Sequence, residues 1–279
     1  MPVLNTGLAT PSRGDFTLDQ SLRFNDDDTA YLTRQTTSTG SNYVATFSGW
    51  VKRATSGVRQ GIWSGWESST ERMSCYFLND SLHMQIFSGG VAHDLETNAI
   101  FRDPSAWYHL VFQFNTSNAS EPERFKMFVN GVQETSFSVD DTIGLNAEMM
   151  MWGSTSQYSF IGASKGSSVG NYLDGYMAEV HVIDGTVYAP SEFGEAGDYG
   201  EWKPKKVSGL TYGTNGFYLD FADSAALGDD ESGNTNDYTA TNLAAADQMV
   251  DSPTNNFPTW NPLNVDSDHT LSEGNLKSV

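Results

Sequence analysis

The sequence is short of several things, and each shortage closes off a class of protein. It has one cysteine, Cys75 in MSCYFL, so no intrachain disulfide can staple it, and that residue reads as a small core side chain. A secreted domain built for an oxidising compartment is not expected from such a chain. Basic residues are scarce, with 15 Lys and Arg against 35 Asp and Glu and a formal charge of −20. Phosphate recognition rests on Lys and Arg, so nucleic acid is excluded as a partner, and anionic membrane surfaces are disfavoured for the same reason. The acids are scattered rather than gathered in a tail, which suits solubility first and calcium-holding loops second. No apolar run approaches the roughly 20 residues of a membrane span, so membrane insertion is not expected. The opening MPVLNTGLATPSRGDF has no basic stretch followed by an apolar one. Synthesis in a cytoplasm, with no ordinary secretion, is the expectation. Helical periodicity is missing too: no segment supports a helix longer than about two turns.

What the sequence does have is strands and turns. Aromatics make up 13% of it, and 26 glycines sit with Asn, Ser and Asp between short apolar runs. The most informative stretch is Trp107–Val139. Tyr108, Leu110, Phe112 and Phe114 alternate there with Trp107, His109, Val111 and Gln113, the period of a strand with two distinct faces. After the polar loop NTSNASEPE, the run FKMFV leads into Asn130-Gly131, a type I′ turn signal that predicts reversal into a third strand over Val132–Val139. Earlier strands are predicted at SLRF, AYLTR, VATFSGWVKR, GIWSGW, MSCYFL and SLHMQIFS, with a second hairpin turn near Asn79-Asp80. Later ones are YSFIGAS, LDGYMAEVHVIDG and GFYLDFAD. In the LDGYMAEVHVIDG run, Tyr176, Ala178, Val180 and Val182 are expected on one face. Pro190-Ser191-Glu192-Phe193 reads as a single helical turn ended by Gly194. The fold class is therefore all-β, with antiparallel strands. Residues 1–15 are expected to form an extended arm, 16–245 the β domain, and 246–279 an extended tail packed on the domain or on a neighbouring subunit.

Several pieces, in this order, resemble the laminin-G-like/concanavalin-A-like lectin superfamily, in the variant found in virion proteins of marine tailed phages. They are FSGWVKR, WYHLVFQF with KMFVNG, FIGAS, and LDGYMAEVHVIDG ending in PSEFG. The residues that carry the likeness are Trp107, His109, Asn130, Gly131, Gly162, Gly175 and Glu179. The resemblance covers roughly residues 20–240 and implies a jelly-roll sandwich. One piece is displaced: LDFADSAALGDDESGNTNDYT looks like the opening strand and turn of such domains but lies near the C-terminal end. Either the domain borrows a last strand of this type or a second unit begins there.

Relatives of this fold include glycoside hydrolases, which flank the scissile bond with two carboxylates. Laminarinase-like members resembling this fold carry Glu-x-Asp-x-x-Glu on one strand, and that spacing is absent here. Glu179 and Asp184 are the nearest pair on one strand, and their odd separation puts them on opposite faces of a regular strand. No enzyme is expected. The five histidines, His83, His93, His109, His181 and His269, lack the spacing of a zinc pair. No cofactor is expected, with calcium the one candidate ion: Asp229, Asp230 and Asn234 (with Glu231 and Asn236) or Asp26–Asp28 are its candidate ligands, against plain Asx turns. Of Trp63 and Trp66, one is expected in the core and the other at a rim, available for glycan or subunit contact. The resemblance implies a non-enzymatic phage virion structural protein, a capsid-decoration or tail-fibre component at the virion surface. Its expected partners are other virion proteins and itself, with a trimer as the expected homo-oligomer. The alternative is an adhesin or receptor-binding protein for a host surface glycan.

Overall fold

A computed structural model describes residues 16–266 and 268–278; the predicted 1–15 arm lies outside them. The first twelve strands are β1 Ser21–Phe24, β2 Tyr31–Gln35, β3 Val44–Arg53, β4 Gln60–Ser68, β5 Glu71–Leu78, β6 Ser81–Ser88, β7 Val91–Ile100, β8 Trp107–Asn115, β9 Phe125–Val129, β10 Val132–Gln133, β11 Phe137–Asp140 and β12 Tyr158–Ile161. A small ribbon, β13 Ser164–Lys165 with β14 Val169–Gly170, precedes the long β15 Gly175–Asp184. After a second ribbon, β16 Gly194–Ala196 with β17 Trp202–Pro204, come β18 Phe217–Leu219, β19 Thr239–Thr241 and β20 Gln248–Met249. Beyond these, β21 Leu271–Ser272 pairs with β22 Lys277–Ser278. The helical segments among the described residues are single 3-10 turns, including the expected one at Pro190–Glu192.

Two eight-stranded antiparallel sheets face each other. The first runs β10-β9-β8-β3-β15-β1-β20 with β18 also on β15, the second β11-β7-β6-β5-β4-β12-β2-β19. This is the antiparallel sandwich that the family resemblance implies. Its core lies between the sheets, where Leu110, Phe112 and Phe114 of β8 meet Phe47 of β3 and Trp63, Cys75 and Met84 of the second sheet. Phe47 stacks on Phe112 and on Trp63 at 5.3 Å each. The predicted second face of β8 is covered as well. Trp107 packs with Trp50, Tyr176 and Leu18, and Val111 packs with Ile183 and Phe193. Segments after β15, with Phe16 and Leu18 ahead of β1, thus form a third layer over the first sheet, and among the described residues the second sheet has no hydrophobic cluster on its outer side.

Four sequence expectations change. The chain does turn at Asn130-Gly131, both with positive φ of 50° and 78°, but Val132–Val139 is not one strand. β10 stays in the first sheet for two residues, and the chain then crosses so that β11 pairs with β7 in the second. In β15 the face reverses at Glu179, whose φ is +51°. The register against β3 slips between Ala178 and His181, and the outer neighbour of β15 changes there from β1 to β18. As a result Met177, Val180 and Val182 point to the main core while Tyr176 and Ala178 point outward, which breaks the expected grouping. This is how a β-bulge acts: one extra residue shifts the alternation. The strand predicted over Gly216–Asp223 is only Phe217–Leu219, because Phe221 adopts φ +59°. Finally, the displaced LDFADSAALGDDESGNTNDYT segment starts no second unit. It supplies β18 to the first sheet and leads directly into β19 of the second.

Candidate functional site

The uncovered face of the second sheet follows directly from the alternation in β5. Met73, Cys75 and Phe77 go to the core, so Arg72, Ser74 and Tyr76 point out. Pairing sets their neighbours. Trp66 of β4 stands opposite Arg72 and Tyr158, and Arg72 stands opposite Phe87 of β6, giving the row Tyr158–Trp66–Arg72–Phe87 across four strands. Two residues further along, Ser74 and Gln85 are opposite each other, and beyond them Tyr76 is opposite His83.

Cations lie on the rings of this face. The Arg72 guanidinium carbon is 4.2 Å from the Phe87 ring centre, that of Arg59 3.7 Å from Tyr76, and Lys165 Nζ 3.6 Å from Trp66 and 5.4 Å from Tyr158. His83 stacks on Tyr76 at 4.9 Å with planes 14° apart. Trp66 Nε1 donates to the Gly166 carbonyl at 3.0 Å, which ties the β13–β14 ribbon to the sheet. Gln85 Nε2 donates to Asp94 Oδ1 at 2.8 Å, and Glu96 Oε1 is 3.8 Å from His83 Nε2. Burial lowers the His83 pKa, with Glu96 opposing. Burial likewise lowers that of Arg72, and the positive charge of Arg59 adds to the shift.

A second polar cluster lies under the third layer, around the β15 bulge. Glu179 accepts from the Tyr218 hydroxyl at 2.7 Å and from His181 Nε2 at 3.3 Å, and His181 Nδ1 meets the Tyr212 hydroxyl at 2.7 Å. His181 also stacks on Tyr218 at 4.2 Å. A recess of about 300 Å³ adjoins these residues below Lys206–Leu210. Every polar group named here is held by another, so the cluster reads as a hydrogen-bonded brace for the bulge. Glu231 is a second carboxylate lining the same recess.

The predicted residues fall as follows. Trp63 is fully buried in the core and offers no contact surface; Trp66 alone is on the outer face. Trp107 donates from Nε1 to Asp251 at 3.1 Å, and the Asn130 side chain accepts from the His109 amide at 2.8 Å. His109 Nδ1 accepts from Trp202 Nε1 at 2.9 Å, so its proton is on Nε2 and is donated to Ser48 Oγ at 2.8 Å. Trp202 also lies against Gly131, where a β-carbon would sit 2.5 Å from its ring. Gly162 follows β12, and at Gly175 a β-carbon would sit 2.2 Å from the Lys52 carbonyl. The residues of the family likeness thus hold the first sheet and its covering layer, with Gly162 beside Phe24.

Two of the calcium candidates, Asp230 and Asn234, are engaged in hydrogen bonds within the protein. Asp230 already accepts from the Tyr218, Ser232 and Asn236 amides and the Ser232 hydroxyl at 2.8–2.9 Å, and Asn234 donates to the Gly213 and Gly216 carbonyls. Calcium asks for six to eight oxygens. Among the described residues no group of three or more His, Cys, Asp or Glu gathers as a metal site.

Sequence reasoning missed Arg59, Arg72, Tyr76, His83, Phe87, Tyr158 and Lys165. The alternation in ERMSCYFL would have marked Arg72 and Tyr76 as outward. Nothing local places Lys165 over Trp66, about a hundred residues away.

Comparison with known proteins gives distant structural likenesses. A SAP-like pentraxin from Limulus polyphemus is 13% identical, over 61% of this chain and 78% of that one, with a TM-score of 0.43. The LG4-5 domains of mouse laminin alpha1 are 11% identical over 68% and 50%, also at 0.43. The CBM40 of Ruminococcus gnavus IT-sialidase is 14% identical over 57% and 91%, at 0.38. The matched region spans half the length of the laminin chain. No curated protein matches the chain. The sequence itself is more decisive: the Laminin_G_3 family model matches residues 24–190, more than half of the chain. The protein belongs to the concanavalin A-like lectin/glucanases superfamily.

Proposed function

We propose that the protein is a non-enzymatic glycan-binding component of the surface of a tailed-phage particle, and that the glycan lies on the outer face of the second sheet. The observation that carries the reading is the contrast between the two outer faces. That of the first sheet is sealed by apolar side chains of a third layer. That of the second carries the Tyr158–Trp66–Arg72–Phe87 row with no apolar cover. Aromatic side chains with polar heads are the usual equipment of a sugar-binding surface. The phage setting rests on the ordered motifs from FSGWVKR to PSEFG. An assembly role beside glycan binding is favoured by exposed apolar residues of the C-terminal segment, Phe257, Trp260, Leu263 and Leu276; these suit docking onto other virion proteins or a second copy.

The full chain on a glycan array is expected to retain at least one glycan class, equally in calcium and in EDTA. Immunogold labelling is expected to place it on the particle surface. An array blank in both conditions would remove the binding function, and unlabelled particles would remove the setting.

A further inference from the structure

The rings on the open face are not bare. A neutral sugar packs its C–H surface on an exposed aromatic face, but here each ring already has a cation on it. Arg59 lies 3.7 Å above Tyr76, which also stacks on His83; Lys165 lies 3.6 Å above Trp66; and Arg72 lies 4.2 Å from Phe87. The rings orient guanidinium and ammonium heads, and the heads are what an incoming molecule meets.

These heads also lack carboxylate partners. The chain has 15 basic residues against 35 acidic ones, so pairing is easy to find, and several cations elsewhere are paired. Arg23 pairs with Asp247 and Glu273, Lys52 with Asp251, Arg53 with Asp80, and Lys126 with Glu123. Arg59, Arg72 and Lys165 make no ion pair with a described carboxylate; Arg72 donates instead to the Ser69 carbonyl. The acids of this face, Asp94 and Glu96, are on β7, two strands from β5, or about 10 Å, and are occupied with Gln85 and His83. Glu67 is held by Ser156 and Gln157, and Glu71 by the Gly89 amide. The cations before β4, on β5 and on β13 therefore have no direct carboxylate partner among the described residues, in a protein that is otherwise strongly negative.

We propose that the ligand of this face is an acidic glycan, one bearing carboxylate or sulfate groups along its chain, held by Arg59, Arg72 and Lys165. This rests on the glycan-binding reading above and names its ligand class. A guanidinium fixed by stacking presents its donor fork to a carboxylate or sulfate with little further ordering. Arg72 and Tyr76, the anchor of Arg59, are four residues apart on β5, a span of about 13 Å. Two anionic groups on neighbouring stretches of one polysaccharide can reach both stations, with Gln85 between them to meet a hydroxyl. The like charge of Arg59 that depresses the Arg72 pKa is the repulsion that a bound anion would relieve.

The test uses the full chain against three sets of immobilised glycans: neutral, uronate- or sialate-containing, and sulfated. Retention of one or both acidic sets is expected, falling steeply as salt is raised from roughly 0.05 to 0.5 M. The variants R59Q and R72Q should each lose about tenfold in affinity with unchanged thermal melting, and R72K should recover part of the loss. If only neutral glycans bind, or if R59Q and R72Q bind acidic glycans like the parent, the inference is overturned while glycan binding stands. If nothing binds, both readings fall together.

Discussion

Burial holds the pKa of His109 down at about 3, with the charge of His181 as the smaller cause. Its Trp202 and Ser48 partners fit the neutral ring alone. The unfolded chain takes up a proton near pH 6.5 that the folded chain refuses. Stability from this group is therefore complete above about pH 6.5 and falls by about 1.4 kcal/mol per pH unit down to about pH 3. Asp174 acts in the opposite direction. Burial raises its pKa to about 6, so the folded state holds a proton that the unfolded state gives up above the ordinary carboxyl value of 3.8, and stability declines as pH rises through that window. Between pH 4 and 6 the two slopes oppose each other. Relative to the parent, H109Q is expected to make the urea midpoint fall as pH rises over this range, and D174N to make it rise; two variants with the parental pH profile would refute the assignment. The sequence marked His109 through its Trp-x-His strand. It did not show that Trp202, about ninety residues later, would fix the tautomer, since only tertiary packing brings the two together.

Elements were read well where one face was buried and the backbone regular. VATFSGWVKR, predicted as a strand over Val44–Arg53, is β3 with those bounds. Reading failed where the backbone leaves the regular β region at a residue that is not glycine. Glu179 and Phe221 both have φ above +50°, and nothing in their side chains announces it. Asn130-Gly131 is the contrary case, because Asn and Gly suit positive φ and the turn was legible. Gly131→Ala is expected to destabilise by more than about 1 kcal/mol, from the strained φ and the contact with Trp202 together. Thermal unfolding checks this, and loss of the His109–Trp202 contact should show as a shift in tryptophan emission. An unchanged melt would mean that the β9–β10 hairpin can move away from Trp202 at little cost.

At the scale of the molecule, the sandwich was legible from period-two patterns and the ordered motifs. The proposed binding face was not, beyond Trp66, because its cations come from a loop, a strand and a ribbon far apart in sequence. Also invisible was a buried clamp on the C-terminal segment. Lys52, with 0% exposure, donates to Asp251 at 2.9 Å, Asn256 at 2.8 Å and the Phe257 carbonyl at 2.8 Å. Asp251 also accepts from Trp107. Asp251→Ala leaves a buried ammonium without its counter-charge and is expected to cost about 3–5 kcal/mol. It should also open the segment after Met249 to limited proteolysis. A parental urea midpoint with an uncut tail would show that Asn256 and Phe257 suffice.

The pairing of β1 with β20, Ser21 against Met249, has a consequence for how the chain is made. The first strand of the domain waits for nearly the last, and β2 likewise waits for β19. Neither sheet can be completed while the ribosome still holds residues 239–249, so folding is bound to be late, non-local and slow. A product released early would show the unpaired edges of β1 and β2, a surface on which other incomplete chains can add. Only a chain that runs past Met249 hides both edges, so these two pairings separate a complete sandwich from a truncated one.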